Sequence, residues 1–162
     1  MRYYTGVGSR VTPQVVLDLM RQIALVMANL QYILRSGGAK GADSAFEYSA
    51  GPNKQIFYAK DCTIAAMEIA KRFHPAWHRC DEYARRLHGR NAFQILGPNF
   101  NEPSAYCICW TKDGCISHKT RSFDTGGTGT AISIAEAYGV PVINLAIPEH
   151  FNKWNEWVKT RG

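Results

Sequence analysis

Three times the chain runs from a short strand-like segment through a glycine-rich turn into a helical pattern, and this recurrence limits the fold more than any other feature. Arg2-Tyr-Tyr-Thr-Gly6 is aromatic and β-prone, and Gly6-Val-Gly8-Ser-Arg10 follows it as a turn. Thr12-Pro13 starts a helix, because proline at the first helical position sacrifices no needed hydrogen bond. From Val15 to Leu30 the apolar residues then fall in a helical stripe. Tyr32-Ile-Leu34 repeats the strand, Arg35-Ser-Gly-Gly-Ala-Lys-Gly-Ala-Asp43 the turn, and about Ala42 to Ala50 the helix. Ser104 to Trp110 is a continuous apolar run of the kind buried parallel strands show. It leads through a polar loop, Thr111 to Thr125, into Asp124-Thr-Gly-Gly-Thr-Gly-Thr-Ala131 and a helix that stops at Gly139.

Gln55 to Tyr58 and Val140 to Leu145 read as further strands, and about Pro148 to Lys159 as a closing helix. Between them, a helical middle segment (61–103) is helical from Cys62 to about His88, with a break at His74-Pro75, since a residue before proline disfavours helix. The order βαβαβ, helical middle, βαβα predicts a single-domain α/β fold. Its mainly parallel, doubly wound, Rossmann-like sheet is flanked by helices, with the glycine-rich loops at the carboxyl ends of the strands.

At 162 residues and 46% hydrophobic content the chain is long enough for one sizeable core. No run of about 18 apolar residues is present, and no signal-type leader opens the chain, so a cytoplasmic protein is expected. The five cysteines have no paired CxxC spacing, so free thiols are expected in place of a disulfide framework or zinc knuckle. Cys107 and Cys109, one residue apart in a strand, belong on one face. The net charge of +6 favours an anionic partner, nucleotide or nucleic acid alike.

Glycines where a loop turns into a helix let backbone N–H groups approach an anion, and the helix N-terminus adds a favourable dipole. Gly126, Gly127, Thr128, Gly129 and Thr130 therefore read as a phosphate seat or as a tight strand-to-helix turn. Gly37, Gly38 and Gly41 carry the same two readings.

At these residues the sequence resembles the SLOG superfamily, a Rossmann-like group that includes DNA-processing protein A and the Lonely Guy phosphoribohydrolases. Gly8-Ser-Arg10 and Ser36-Gly-Gly-Ala-Lys-Gly-Ala-Asp43 resemble the first two motifs of DNA-processing protein A, and Gly126-Gly-Thr-Gly-Thr130 the glycine motif of the Lonely Guy branch. The chain is also similar to small SLOG proteins of bacteriophages. The resemblance spans about Arg2 to Leu145 and implies a nucleotide-binding crevice, and it suggests a homo-oligomer. The Lonely Guy pattern Pro-Gly-Gly-x-Gly-Thr-x-x-Glu is broken twice, by Thr125 at the proline and Ser133 at the glutamate. The missing carboxylate argues against hydrolysis by that family's mechanism. Val11 stands where a GxGxxG fingerprint needs its third glycine, so no NAD, and no other cofactor, is expected.

Around these loops, Ser9 and Arg10 are candidates to hold a phosphate, with Arg10 alternatively pairing with Asp43. Asp43 is either a ribose acceptor or a helix cap. His88-Gly-Arg-Asn91 reads as a ligand-binding edge presenting Arg90 and Asn91, or as an exposed basic helix end. Trp77, Tyr83, Trp110 and Tyr3 or Tyr4 are stacking candidates, Trp110 foremost because it closes a strand. His74, His78, Cys80 and His88 raise a metal set, which the interruption at Pro75 and the absence of a completing partner at usual spacing count against; no metal is expected.

The leading expectation is a protein that binds a nucleotide-derived signal, ADP-ribose-like or cyclic, as a phage anti-defence protein sequestering it would, with Thr111 to Thr125 as a lid. The alternatives are an N-glycosidase or phosphoribohydrolase using Asp43, Glu47, Asp124 or Glu136, and a single-stranded DNA-binding recombination mediator whose affinity falls steeply with salt. No membrane partner is expected.

Overall fold

The computed structural model describes residues 1–161 and has five parallel strands in one sheet, ordered β3-β2-β1-β4-β5. The strands are β1 (Arg2–Gly6), β2 (Tyr32–Ser36), β3 (Lys54–Ile56), β4 (Cys107–Cys109) and β5 (Val142–Asn144). The helices are α1 (Gln14–Asn29), α2 (Ala42–Ala50), α3 (Ile64–Lys71), α4 (Glu82–Leu96), α5 (Thr128–Ala137) and α6 (Pro148–Arg161). The doubly wound α/β class expected from the recurrence is the architecture found. The chain builds outward from β1 through β2 to β3, then returns to the other side of β1 and continues to β5. That reversal between β1 and β4 is the switch point where parallel α/β sheets open a crevice.

Alternation along the strands assigns each helix to a face. Tyr4, Leu34 and Ile108 point into one core with Met20 and Ile23 of α1, Phe46 of α2 and Trp154 of α6. Val7, Cys107 and Cys109 point into the other with Ala66 of α3, Leu96 of α4 and Ile132 of α5. Cys107 and Cys109 thus share a buried face, and all five cysteines are free thiols. Each fully buried large aliphatic side chain contributes about 1.5–3 kcal/mol to holding its layer on the sheet.

Several element boundaries differ from the sequence reading: β3 is Lys54–Ile56 and not Gln55 to Tyr58, β5 is Val142–Asn144 and not Val140 to Leu145, and the helical middle is interrupted between α3 and α4 by residues 72–81, where only Trp77–Arg79 forms a 3₁₀ turn. The regular part of β4 is only three residues, although hydrogen bonds between the β1 side and the β4 side run from Ala105 N to the Tyr3 carbonyl through to Ser9 N and the Trp110 carbonyl. More consequentially, α4 continues through His88 to Leu96. Gly89 is not a flexible helix end but a contact point: a Cβ there would lie 2.5 Å from Cys62 Sγ and 2.8 Å from Met67 Cγ, so α4 packs directly on α3 at this residue. Arg90 and Asn91 are accordingly held on a rigid helix. Among the described residues no helix is long and apolar enough to cross a membrane.

Candidate functional site

A cavity of about 380 Å³ opens at the switch point. Its walls are Val7, Gly8, Ser9 and Arg10 after β1, Ala39 and Asp43 after β2, and Asp124, Thr125, Gly126, Gly127 and Thr128 leading into α5. The remaining wall is α4, through Leu87, His88, Arg90, Asn91 and Gln94. Segments more than 100 residues apart therefore meet at one volume, each entering it from the carboxyl end of a strand or from the side of a helix.

Close backbone approach brings the first two loops together. Gly41 has φ +83°, and a Cβ there would fall 2.7 Å from the Ser9 carbonyl oxygen and 2.9 Å from Arg10 Cα, so only glycine lets the two loops touch. A Cβ on Gly37 would lie 2.7 Å from Gln94 Nε2 and 2.9 Å from both Arg90 Cζ and Asp43 Oδ2. The Gly37 carbonyl accepts from Arg90 Nη1 at 2.9 Å, which ties α4 to the second loop.

The polar groups in this corner are under-satisfied. Asp43 is buried and accepts from Ala39 N at 3.2 Å. Its carboxyl is pushed up to about 6, by burial first and against the lowering influence of the Ala39 N–H and the Arg90 guanidinium. It does not cap α2, and it forms no ion pair with Arg10, which is exposed. Gln94 is 1% exposed and its Oε1 has no protein partner, nor has the buried Arg90 Nε. Buried polar atoms are nearly always satisfied, so these two are exceptions among the described residues, together with Tyr4 Oη, Arg35 Nη2 and Arg85 Nε away from the cavity.

The third wall is bare by design of its backbone. A Cβ at Gly126 or Gly127 would meet no atom within 4 Å, and Gly127 has ordinary helical φ, so neither packing nor conformation demands glycine at 127. An unobstructed approach to the N-terminus of α5 is what that glycine preserves. Asp113 anchors this wall. It accepts from Ser122 Oγ at 2.6 Å, Thr111 Oγ1 at 2.8 Å, Cys115 N at 3.1 Å and Thr125 Oγ1. Although burial alone raises its carboxyl, these donors, Ser122 foremost, bring it down to about 2. The segment Thr111 to Thr125 is thus pinned at its base and contains two 3₁₀ turns, His118–Thr120 and Phe123–Thr125.

Of the residues singled out from the sequence, Gly8, Ser9, Arg10, Asp43, Arg90, Asn91, Gly126, Gly127 and Thr128 line the cavity, as does Asp124, which is 4.0 Å from Lys112. Ser36, Gly37, Gly38 and Gly41 do not line the cavity. Ser36 Oγ donates to the Gly6 carbonyl at 2.6 Å, and Gly38 (φ +75°) abuts Tyr58. Gly129 makes room for Arg121, 2.5 Å from where its Cβ would be, and Thr130 Oγ1 pairs with His88 Nδ1 at 3.0 Å. Trp110 packs at the edge of the α1 core, Tyr4 is inside that core, and Tyr3 lies under the Arg35 guanidinium at 3.8 Å; none of the stacking candidates lines the cavity. Glu47 pairs with Lys54 at 2.9 Å and Glu136 accepts from His118 N at 3.2 Å, both away from the cavity. At the position of the Lonely Guy glutamate, Ser133 is buried and engaged by His118 Nδ1 at 2.8 Å and Arg121 Nη1 at 3.0 Å.

Gln94, Leu87 and the anchor Asp113 were not among the sequence candidates. Gln94 and Leu87 follow from the helical spacing around Arg90 and Asn91 once α4 is known to continue. The Asp113-Gly114 turn pair was the one visible signal for Asp113. His88, burial first and His74, Arg121 and Arg90 after it, is brought down to about 4 and is neutral at pH 7. His74, Cys80 and His88 bring three metal-ligating atoms within 4.8 Å of one another, whereas His78 lies on a separate 3₁₀ turn and is not in that set. No family model, curated protein or solved structure matches the chain.

Proposed function

We propose that the chain binds a nucleotide-derived small molecule, of the ADP-ribose or cyclic-nucleotide class, in the switch-point cavity, and that its biological role is to hold such a signal. The carrying observation is Gly127. It is a glycine that neither φ nor packing requires, on the cavity wall at the start of α5, where bare backbone serves an anion. Arg10 and Arg90 supply positive charge across the cavity, and the Asn91 amide on its wall offers an acceptor for a base amine or ribose hydroxyl. Membership of the SLOG superfamily, the phage setting, and a homo-oligomer belong to the same proposal and rest on the three motifs. Calorimetric titration with ADP-ribose, its cyclised isomers, and cyclic di- and oligonucleotides tests it. Binding at micromolar or tighter affinity that is lost in Gly127→Val supports the reading, and absence of binding across the set overturns it.

A second reading, hydrolysis of an N-glycosidic bond, is favoured by one feature: Asp43, a buried carboxyl raised to about 6, lines the same cavity. Such a group suits a general acid or the stabiliser of an oxocarbenium-like centre. Chromatography of nucleoside monophosphates after prolonged incubation at high protein concentration distinguishes the two, since intact substrate leaves binding alone.

A further inference from the structure

The geometry points to a zinc-class divalent cation site made by His74, Cys80 and His88, placed in the wall that the cavity shares with α4. The three residues come from different local structures. His74 precedes Pro75, Cys80 follows the 3₁₀ turn Trp77–Arg79, and His88 is on α4. In the sequence, the interruption at Pro75 and the lack of a completing partner at usual spacing count against the set; in the structure α3 stops at Lys71, so no helix puts His74 and His78 on one face. In the fold the same interruption does the opposite: the chain turns back on itself and delivers His74 and Cys80 to His88.

The distances suit a metal. Cys80 Sγ is 3.7 Å from His74 Nε2. Two ligands of a tetrahedral zinc with ordinary Zn–S and Zn–N bonds are about 3.6 Å apart. The imidazoles of His74 and His88 have centroids 4.3 Å apart at 69°, and all three donor atoms fall within 4.8 Å of one another. His88 is already fixed by Thr130, whose hydroxyl is 3.0 Å from Nδ1, leaving Nε2 as its free donor. An outer hydrogen bond of this kind is what orients a metal-bound histidine. One thiolate and two imidazoles are the soft and borderline donors that favour zinc over magnesium or calcium.

Loading has a defined proton balance. The thiol proton of Cys80 leaves to solvent as the Zn–S bond forms. His74 Nδ1 now accepts from Ala76 N at 3.1 Å, so the ring proton is on Nε2. For Nε2 to bind, that proton moves to Nδ1 and the Ala76 N–H gives up its contact. One proton is released per ion, and the site keeps a net charge of +1. Because three protein ligands leave a fourth position open, that position takes a water or an anionic oxygen. His88 also lines the cavity, so the ion adds its charge to the α4 wall that carries Arg90.

The site does not depend on the nucleotide reading, and its test uses metal alone. Protein stripped with chelator is titrated with Co²⁺ and then Zn²⁺. The expected result is one Co²⁺ per chain, with visible bands of a low-coordinate ion and a near-ultraviolet thiolate-to-cobalt band, both abolished by stoichiometric Zn²⁺. Cys80→Ser removes the thiolate band, and it and His74→Gln each weaken binding at least about tenfold. His78→Gln and Cys115→Ser leave both affinity and spectrum unchanged, with far-ultraviolet circular dichroism confirming that every variant is folded. Failure to bind Co²⁺ at micromolar concentrations, or a thiolate band that survives Cys80→Ser, overturns the assignment.

Discussion

Arg90 Nη1 donates to the Gly37 carbonyl at 2.9 Å across 53 residues of sequence, so the second glycine loop and α4 form one wall. The atoms that crowd Gly37 are the polar ends of Asp43, Arg90 and Gln94, which a Cβ would force to shift. Gly37→Ala is therefore expected to cost about 1–3 kcal/mol while displacing all three polar ends. Ligand affinity measured by calorimetry falls at least about tenfold, equivalent to about 1.4 kcal/mol. Unchanged affinity in a folded variant would remove this corner from the binding site.

Asp43 makes stability depend on pH. Burial raises its folded pKa to about 6 from the ordinary 3.8, so between those values the native state holds a proton that the unfolded chain has lost. Stability consequently falls as pH rises from about 4 to about 6, and the loss persists above, by about 3 kcal/mol at most. Asp43→Asn removes that slope and is the more stable protein at pH 8. Urea unfolding at pH 4 and pH 8 for both proteins provides the comparison, and an identical slope in the two would disprove the assignment to Asp43.

Asp113 acts in the opposite sense. Its folded pKa, held near 2 by Ser122, Thr125, Thr111 and the Cys115 N–H, lies below the unfolded value. The contribution is complete above about pH 4 and fades as pH falls toward 2. Asp113→Ala leaves Ser122 and Thr125 without their acceptor, so the segment 111–125 is expected to loosen. Faster proteolytic cleavage within it, together with a lower melting temperature at pH 7 whose deficit shrinks as pH falls toward 2, is the predicted pattern.

Gly89→Ala tests the α3–α4 contact. Alanine is the better helix former by about 1 kcal/mol, yet its Cβ has no room against Cys62 Sγ and Met67. Overpacking outweighs propensity, and the variant is expected to lose about 1–3 kcal/mol in chemical denaturation. A stabilised Gly89→Ala would overturn the direct packing of α4 on α3 at this residue.

The strands and their glycine turns were readable because both signals are local: a short apolar run, then residues whose backbone must bend. The continuation of α4 past His88 was not, since Gly89 and the polar Arg90 and Asn91 look like a helix end until α3 supplies the surface that calls for a glycine. Trp110 misled for a related reason. Its place at the end of a strand is a matter of sequence, but which face it takes is decided by the α1 core. Gln94 and Asp113 are polar residues in unremarkable surroundings along the chain, and only the tertiary arrangement shows what they touch. His74, Cys80 and His88 have irregular spacing because a turn, and not a helix, brings them together.

The strand order has a consequence for how the molecule assembles. β1, α1, β2, α2 and β3 are contiguous and form the first half of the sheet from near neighbours, whereas β4 must find β1 after some 100 residues have intervened, a slow closure on entropic grounds. The cavity lies across that late seam, so it does not exist until the halves have docked. Anything bound there spans both and favours the closed state by mass action. Occupancy and completion of folding are thereby linked equilibria, and a tight ligand would act on this chain as a folding clamp.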